Sequence, residues 1–298
     1  MSGERPAKIE TLLSCFMFVL EKLVRCYVNI LASLVLYKHS LQEIELTLNS
    51  LLNEKSISKL VIVDNGSFCH WLNDYKHDKV DVIKLSNNQG FGAGHNKVFE
   101  TYKNQCDYFL ICNPDIYYAQ GEVDKFFAFC KERSVDLSVP KITYPNGALQ
   151  YATKLLPAPF QLFGRRFLSS FFPDINNDYE LRHANFNTAF YAPSMSGCFM
   201  LVSNNAIRQV QGFDLRFFMY LEDVDFSRRI SAGNFNVVYC PDSTVVHLSQ
   251  RKSYHSLKFL FYHMSSAIKY FNKWGWFFDK GRRQLNKRCL SSLPTKSE

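Results

Sequence analysis

Three absences narrow the chemistry of this 298-residue chain. No G-x-x-x-x-G-K-[ST] occurs, which removes a P-loop nucleotidase. Nine cysteines are present, yet none forms a C-x-x-C pair and the number is odd. That pattern argues for a reducing compartment and against a disulfide framework or a zinc site. Long apolar runs are missing too. The longest early one, Leu12–Leu20, is broken by Ser14 and stops at Glu21-Lys22. It falls short of the roughly 20 residues that span a bilayer and lacks the small-residue cleavage site of a signal peptide. Residues 1–27 therefore read as an N-terminal extension outside the fold. No internal repeat or low-complexity tract is visible.

Acidic residues are scarce in one place only. Residues 251–298 hold eleven Lys and Arg against Asp279 and Glu298, while the whole chain is +8. The rest of the chain is thus close to neutral, and the basic character belongs to the C-terminal end. Such an end suits an anionic surface, lipid or nucleic acid.

The most informative stretch present is Tyr108-Phe-Leu-Ile-Cys-Asn-Pro-Asp115. Five apolar or aromatic residues run into Asn113-Pro114-Asp115, the pattern of a buried parallel strand. Pro114 has no amide donor and ends the ladder. Asn113 and Asp115 are then delivered at the carboxyl edge of a sheet, where open α/β sheets bind ligands. A carboxylate fixed there suits a hard cation carrying a phosphate. A simple polar turn is the alternative that the tripeptide alone leaves open.

Around it, strands and helices alternate. Ile30–Tyr37 reads as the first strand, and Ser40-Leu41-Gln42-Glu43 has the form of a capping box ahead of a helix. Leu60–Val63 reads as a second strand ending in Asp64-Asn65-Gly66-Ser67, and Val80–Leu85 as a third. A loop, Asn87-Asn88-Gln89-Gly90-Phe91-Gly92-Ala93-Gly94-His95-Asn96, precedes a helical stretch to about Tyr102. Its glycines are not spaced as G-x-G-x-x-G and follow the wrong strand for a dinucleotide fingerprint. Their backbone can still approach a ligand closely, with Asn88 and Asn96 adding amide hydrogen bonds. The alternation predicts a doubly wound, mostly parallel sheet. Residues 140–195, rich in proline and aromatics, read as irregular strands and loops that cover the site and meet an acceptor.

A second chemical cluster follows, Phe217-Phe-Met-Tyr-Leu-Glu222-Asp223-Val-Asp225. The helix after it is predicted over Asp225–Ala232, stopped by Gly233. Three acids in four residues exceed what a cap requires, so Glu222 and Asp223 are candidate catalytic groups. Val245-Val246-His247 is a last short strand, and a neutral histidine at a strand end is a frequent metal ligand. Arg251 and Lys252 after it suit a phosphate. Beyond Tyr254 an apolar stripe at helical spacing leads into Trp274, Trp276, Phe277 and Phe278, then Lys280, Arg282, Arg283, Lys287 and Arg288. The first half is expected to pack on the core and the aromatic-basic half to touch lipid. Nucleic acid is not expected, because the rest of the chain offers no basic groove.

Seven of these motifs, taken in order, resemble the inverting family 2 glycosyltransferases of GT-A fold, above all bacterial rhamnosyltransferases of O-antigen and cell-wall polysaccharide assembly. They are VDNGS (63–67), NNQGFGAGHN (87–96), NPD (113–115), SGCFML (196–201), GFD (212–214), FFMYLEDVDFSRR (217–229) and VVHLSQRKS (245–253). The resemblance implies an α/β GT-A domain over 28–253, with a nucleotide-sugar half at about 28–140 and an acceptor half at about 141–253, followed by a basic amphipathic helical tail at 254–298. It implies that Tyr37 and Asp64 hold the nucleotide base, with Asn88, Gly90, Asn96 and Asn113 beside the donor and Arg251 and Lys252 near its phosphates. Asp115 takes the place of the metal-binding acid, and His247 a position that completes the shell around Mg²⁺ or Mn²⁺. Asn113 stands where many members have Asp, which leaves one charge fewer on the cation. Asp223 matches the general base, with Glu222 beside it.

The implied reaction is inverting transfer of a hexose, with L-rhamnose from dTDP-L-rhamnose as the leading donor and galactofuranose or GlcNAc donors as alternatives. The implied acceptor is a polyprenyl-diphosphate-linked saccharide of lipopolysaccharide assembly. The implied location is cytoplasmic, peripheral at the cytoplasmic face of the bacterial inner membrane. A nucleotidyltransferase is disfavoured because Lys38-His39-Ser40 stands where its phosphate loop belongs. A non-catalytic nucleotide-sugar-binding module leaves Glu222-Asp223 without a purpose.

Overall fold

The structure, a computed structural model, describes residues 28–167, 175–249 and 257–293. The N-terminal extension, Arg251 and Lys252 lie outside the described residues.

The centre of the molecule is a strand that is buried on both faces. β1 (Val28–Leu36) pairs in parallel with β2 (Ile57–Asn65) on one side and β4 (Cys106–Cys112) on the other. β3 (Val80–Leu85) extends the sheet beyond β2, so the order begins β3-β2-β1-β4. Ile30, Leu31, Leu34 and Leu36 are wholly buried, as are Leu110 and Ile111 beside them. Near-continuous apolar runs of this kind are what a sheet covered on both faces requires. The chain adds strands outward from β1 to β3, then returns to place β4 on the other side. That reversal makes a crevice outside the carboxyl ends of β1 and β4.

The crossovers are α1 (Leu41–Leu52), α2 (Phe91–Tyr102) and, after β4 and β5 (Ile116–Tyr117), α3 (Glu122–Glu132). The capping box at α1 is present: Glu43 N donates to Ser40 Oγ, and Ser40 N donates to Glu43 Oε2 at 2.7 Å. Predicted loop residues Phe91–Asn96 belong to α2, which starts directly after Gly90.

The sheet is mixed at its far edge. β11 (Phe199–Ser203) runs antiparallel to β4 and carries the short β6 (Leu137–Ser138) beyond it. The stretch read as irregular contains β7 (Lys141–Thr143), β8 (Leu149–Gln150) and β9 (Thr153–Lys154), then α4 (Pro159–Phe167) and α5 (Ile175–Tyr179). β10 (Ser194–Met195) pairs with β9, and α6 (Asn204–Val210) follows β11. A second sheet has the order β5-β12-β7-β8, where β12 is Thr244–His247.

α7 covers Glu222–Ala232, three residues earlier than the predicted start. Tyr220 and Leu221 take positive φ of 68° and 64°, and this left-handed pair aims the chain so that Glu222 is already helical. Gly233 does cap the C-terminus, but at φ −84° and ψ −179°, a conformation open to any residue.

α8 (Leu257–Trp274) and α9 (Lys280–Ser292) are docked rather than trailing. A second apolar cluster joins Tyr270, Phe271 and Leu285 to Phe217, Leu221 and Val224 beside α7. Among the described residues no helix is long and apolar enough to cross a membrane. The seven described cysteines are free and buried.

Candidate active site

Strand register builds the first wall. β4 ends at Cys112, and Asn113-Pro114-Asp115 turns the chain into β5, with Pro114 O accepting from Thr47 Oγ1 at 2.7 Å. β5 pairs antiparallel with β12, placing Ile116 opposite His247. The consequence is a direct approach of two side chains 132 positions apart in sequence: His247 Nε2 lies 3.2 Å from Asp115 Oδ1. The other ring nitrogen, Nδ1, is 3.0 Å from Gln150 Oε1, while Gln150 Nε2 donates to His247 O at 2.9 Å. Burial alone pushes the imidazole pKa down. The Cys198 thiol and the Asp115 carboxylate against it outweigh that effect and hold it up at about 10.

These residues fit a divalent cation that displaces the proton Nε2 shares with Asp115, since a ligating imidazole must be neutral. Two neighbouring ligands of an octahedral ion at about 2.1 Å stand roughly 3 Å apart, the spacing of Oδ1 and Nε2 here. Gln150 supplies the outer hydrogen bond that fixes a ligating imidazole. Among the described residues no group of three His, Cys, Asp or Glu side chains forms a closed set. Such a site leaves its remaining positions to water and phosphate oxygens, as Mg²⁺ sites do.

Packing builds the second wall. Asp223 Oδ2 accepts from Gly197 N at 3.0 Å, and Oδ1 accepts from Val224 N at 2.8 Å. Burial raises the Asp223 carboxyl pKa, opposed by those two amides and by the charge of Lys154. A Cβ on Gly197 would stand 3.1 Å from the Asp223 Cβ, so any larger residue would push the Asp223 side chain by a few tenths of an ångström. Glu222 is buried, with Oε2 lacking a hydrogen-bond partner. Burial and the neighbouring Asp223 charge push its carboxyl pKa well up. Of two adjacent carboxyls, Glu222 is pushed up by burial and by its neighbour's charge, while Asp223 accepts from the Gly197 and Val224 amides. The third acid is a brace: Asp225 is wholly buried and bonds Arg229 Nε at 2.8 Å, Lys273 Nζ at 2.6 Å and Trp274 Nε1 at 2.8 Å.

Two consecutive residues connect the walls. Gly197 N reaches Asp223, and Cys198 O accepts from Asn113 N at 2.8 Å. A parallel link runs beside them: Gln150 holds His247, Ser196 N donates to Ala152 O at 2.8 Å, and Lys154 acts on Asp223. Four residues of extended chain reach about 13 Å at most, which bounds the separation of Gln150 and Lys154. Asp223 and the Asn113–Asp115 turn are thus tied to neighbouring residues of one segment.

Tyr37 and Asp64, expected at the nucleotide base, stand at the carboxyl ends of β1 and β2. Tyr37, 38% exposed, meets Phe68 edge-on at 5.5 Å, and Lys38 Nζ sits 4.8 Å from the Phe68 ring centroid. Phe68 was not singled out from the sequence. Its signal is an exposed aromatic just after the VDNGS turn. The Asp64 carboxylate is buried and accepts from Phe68 N and Cys69 N at 3.0 and 3.1 Å, shaping that turn.

The glycine loop departs from expectation. Gly90, at φ 94°, has no room for a Cβ because the Phe218 carbonyl is there. Gly92 and Gly94 lie against Phe213 and Val35. The close approaches are therefore to the protein's own chain and weld α2 to the strand ends. Asn88 Oδ1 accepts from Gly90 N and Asn65 Nδ2 within that loop. Asn96 is a clamp: its Nδ2 donates to Phe213 O, and its Oδ1 accepts from Phe213 N, both at 2.8 Å. Its amide is committed to the GFD turn rather than turned to a donor.

The comparisons with known proteins agree with this geometry. The family model described as Glycosyl transferase family 2 matches residues 34–206, more than half of the chain. The chain belongs to glycosyl transferase family 2. The match ends before Glu222, Asp223 and His247, so those three residues stand outside it. Among curated relatives, the N-acetylglucosaminyl-diphospho-decaprenol L-rhamnosyltransferase of Mycobacterium tuberculosis is 26% identical over 211 residues, 66% of this chain and 68% of that protein. Rhamnosyltransferase WbbL of Escherichia coli K12 is 25% identical over 191 residues, 60% of this chain and 70% of the relative. Among solved structures, the mannosyltransferase PcManGT of Pyrobaculum calidifontis in complex with GDP-Man and Mn²⁺ superposes with TM-score 0.55 at 12% identity. That likeness covers 82% of this chain and 65% of that one and speaks to the GT-A fold alone.

Proposed function

We propose that this family 2 glycosyltransferase moves L-rhamnose from dTDP-L-rhamnose, with inversion, onto a polyprenyl-diphosphate-linked saccharide in O-antigen or cell-wall polysaccharide assembly. The observation that supports the reading is that two consecutive residues, Gly197 and Cys198, bond to Asp223 and to the Asn113 amide of the Asp115 turn. The names of the two rhamnosyltransferase relatives support the choice of sugar.

In this reading Tyr37 and Phe68 flank the base, and the turn shaped by Asp64 supports them. Asp115 and His247 would hold a Mg²⁺ or Mn²⁺, which would supply positive charge to a departing diphosphate. Asp223 takes the proton from the acceptor hydroxyl as its oxygen bonds to the anomeric carbon. The bond from that carbon to the phosphate oxygen breaks, and the nucleoside diphosphate leaves with its electron pair. Attack from the face opposite the leaving group inverts the centre. Glu222, kept protonated, offers its proton as a hydrogen bond rather than competing as a base.

An anionic membrane is the proposed surface for this work. Phe277 and Phe278 are 71% and 90% exposed, with exposed Lys280, Arg283, Lys287 and Arg288 on the helix that follows. The two tryptophans do not share this role. Trp274 bonds Asp225, and Trp276 stacks on Phe163 with rings 7° from parallel. The test is a panel of nucleotide sugars offered with a prenyl-diphosphate-linked N-acetylglucosamine. Consumption of dTDP-L-rhamnose with formation of an α-L-rhamnoside is expected. Consumption of a different donor alone overturns the choice of sugar, and consumption of none overturns the transferase reading.

A further inference from the structure

Exposed apolar side chains are not spread evenly over this molecule. Of thirteen large ones among the described residues, six fall in α8, α9 and the turn between them: Leu257, Phe261, Ile268, Phe277, Phe278 and Leu290. Scattered singly, such residues need no explanation; gathered, they mark a contact surface. Three of the six form a stripe along α8. Leu257, Phe261 and Ile268 stand at i, i+4 and i+11, which brings them to one side of an α-helix, with half-buried Met264 at i+7 between them. They are 85%, 68% and 45% exposed. Another side of α8 is in use already. Ala267, Tyr270 and Phe271 are wholly buried in the second apolar cluster, and Ser266 Oγ donates to Met219 O at 2.8 Å. α8 is thus apolar on two sides, and the fold covers one of them.

Charge decides what covers the other. Lys258 and Lys269, both exposed, follow Leu257 and Ile268 by one position and stand on one flank of the stripe. The outer side of α9 is basic: Lys280, Arg283 and Lys287 stand at i, i+3 and i+7, and all three are exposed. The only acid from Leu257 to Leu293 is Asp279, which Arg228 engages inside at 2.6 Å. A second copy of the chain seated on the stripe would set these cations against the same cations. An anionic bilayer attracts them and takes the apolar side chains below its headgroups. The turn continues the surface. Gly275, at φ 101°, closes α8 with its amide on Phe271 O at 2.8 Å, and a Cβ there would stand 3.0 Å from Phe278 O. The exposed Phe277-Phe278 pair therefore sits against the end of α8.

We infer that α8 itself lies on the membrane: the side bearing Leu257, Phe261 and Ile268 enters the headgroup region of an anionic bilayer, with Lys258 and Lys269 on lipid phosphates. The inference rests on the anionic surface proposed above and adds the helix that carries the apolar contact. It also places the membrane relative to the chemistry. Ser266 points away from Ile268 and holds the Met219 carbonyl, where the turn into Glu222 begins. The bilayer then stands about 10 Å, one helix diameter, from that carbonyl.

The test is sedimentation of the full chain with phosphatidylcholine vesicles and with phosphatidylcholine–phosphatidylglycerol vesicles. The unmodified protein is expected to sediment with the second kind, and less so as salt is raised. Phe261→Gln and Ile268→Gln leave the buried side of α8 intact. They are expected to weaken binding about tenfold and about threefold, in the order of their exposure. Lys258→Gln combined with Lys269→Gln should instead narrow the difference between the two vesicles. Thermal melts of all these variants should match that of the unmodified chain, which shows that they are folded. A benzophenone side chain placed at Phe261 should cross-link to lipid, whereas one at the exposed Leu46 of α1 should not. Binding unchanged in both apolar variants, or a cross-link from position 261 to a second copy of the chain, overturns the α8 surface and leaves the membrane reading to Phe277, Phe278 and α9. If the unmodified protein binds neither vesicle, both fall.

Discussion

Asp223 and the turn that carries Asp115 bond to consecutive residues, Gly197 and Cys198, yet the protein holds the two acids by opposite means. Asp115 sits where a strand stops, and its partner His247 arrives by the register of β5 against β12. Hydrogen-bonded ladders fix both, so this wall is as firm as the sheets themselves. Asp223 sits where a helix begins, after two residues in left-handed backbone. Each such residue costs about 1–3 kcal/mol and persists only where the surroundings over-determine it. Here the surroundings are α8 and α9. Ser266 Oγ donates to Met219 O just before the strained pair, and Arg228 of α7 makes a buried two-bond pair with Asp279 at 2.6 and 2.7 Å. Lys273 joins Asp214 to Asp225. One wall is set by the central fold, the other by helices contributed some fifty residues later in the chain. The lesson is that donor binding and proton removal should fail separately.

The sharpest way to break the comparison is Asp223→Asn. Loss of a general base costs about 10²–10⁴ in kcat. Turnover should fall by that factor while the dissociation constant of the nucleotide sugar, read by calorimetry, stays within about twofold. A variant that turns over normally but no longer binds donor would exchange the roles of the two walls.

Asp279→Ala attacks the same wall from a distance. Removing one partner of a buried ion pair costs about 3–5 kcal/mol, because the other charge is left stranded. Urea melts should register that loss. At temperatures where the variant remains folded, kcat should fall more than donor affinity, since α7 loses its anchor and β5–β12 does not. Adding Arg228→Met should return much of the stability. Equal loss of donor affinity would show that the walls are not independent.

Asp115→Ala should mirror these results on the other side. Donor affinity is expected to drop about 100-fold, in keeping with the several kcal/mol that a metal contributes to charge neutralisation. Chelation should do to the unmodified protein what the substitution does, and chelator should change the variant little. Full activity in EDTA would remove the cation from this wall.

The difference between the walls also decides what could be read from the amino-acid order. Apolar runs such as Phe109–Cys112, ended by Pro114, announce a strand and the residues at its tip without any knowledge of neighbours. Ser40 and Glu43 announce their helix equally well, because both partners lie within four residues. Asp223 was legible as an acid in an odd place, but its supports were not. Gly197, Lys154 and Asp279 lie 26, 69 and 56 positions away and are brought in by packing. The early start of α7 was hidden because Tyr220 and Leu221 take a conformation their side chains disfavour. Asn96 looked like a ligand-binding amide for a related reason. Its partner, the Phe213 backbone, is 117 residues on, and nothing local signals a clamp. The two-residue strands of 140–195 have no period to detect.

The smallest expected effect separates the two carboxyls at the start of α7. Burial raises both the Glu222 and the Asp223 carboxyl pKa, the Asp223 charge adding to the rise at Glu222, while the Gly197 and Val224 amides oppose it at Asp223. Glu222→Gln keeps the shape and the neutral state, so kcat should stay within a few fold. The fall of kcat/KM on the acid side should persist, because it reports Asp223. That fall should lie above the ordinary aspartate range, since burial raises the carboxyl that must be deprotonated. Lys154→Met should move it higher still by removing the opposing charge.

Stability carries the same signature with its sign fixed by linkage. A carboxyl whose pKa is raised on folding binds more protons in the native state, so stability is full at low pH and declines as pH rises above the unfolded value. Asp223 and Glu222 both add to that decline. Glu222→Gln should leave a shallower slope and a protein that melts higher than the unmodified chain at alkaline pH. If instead the substitution abolishes turnover and leaves the slope untouched, Glu222 is the charged partner and the assignment of base and proton holder is reversed.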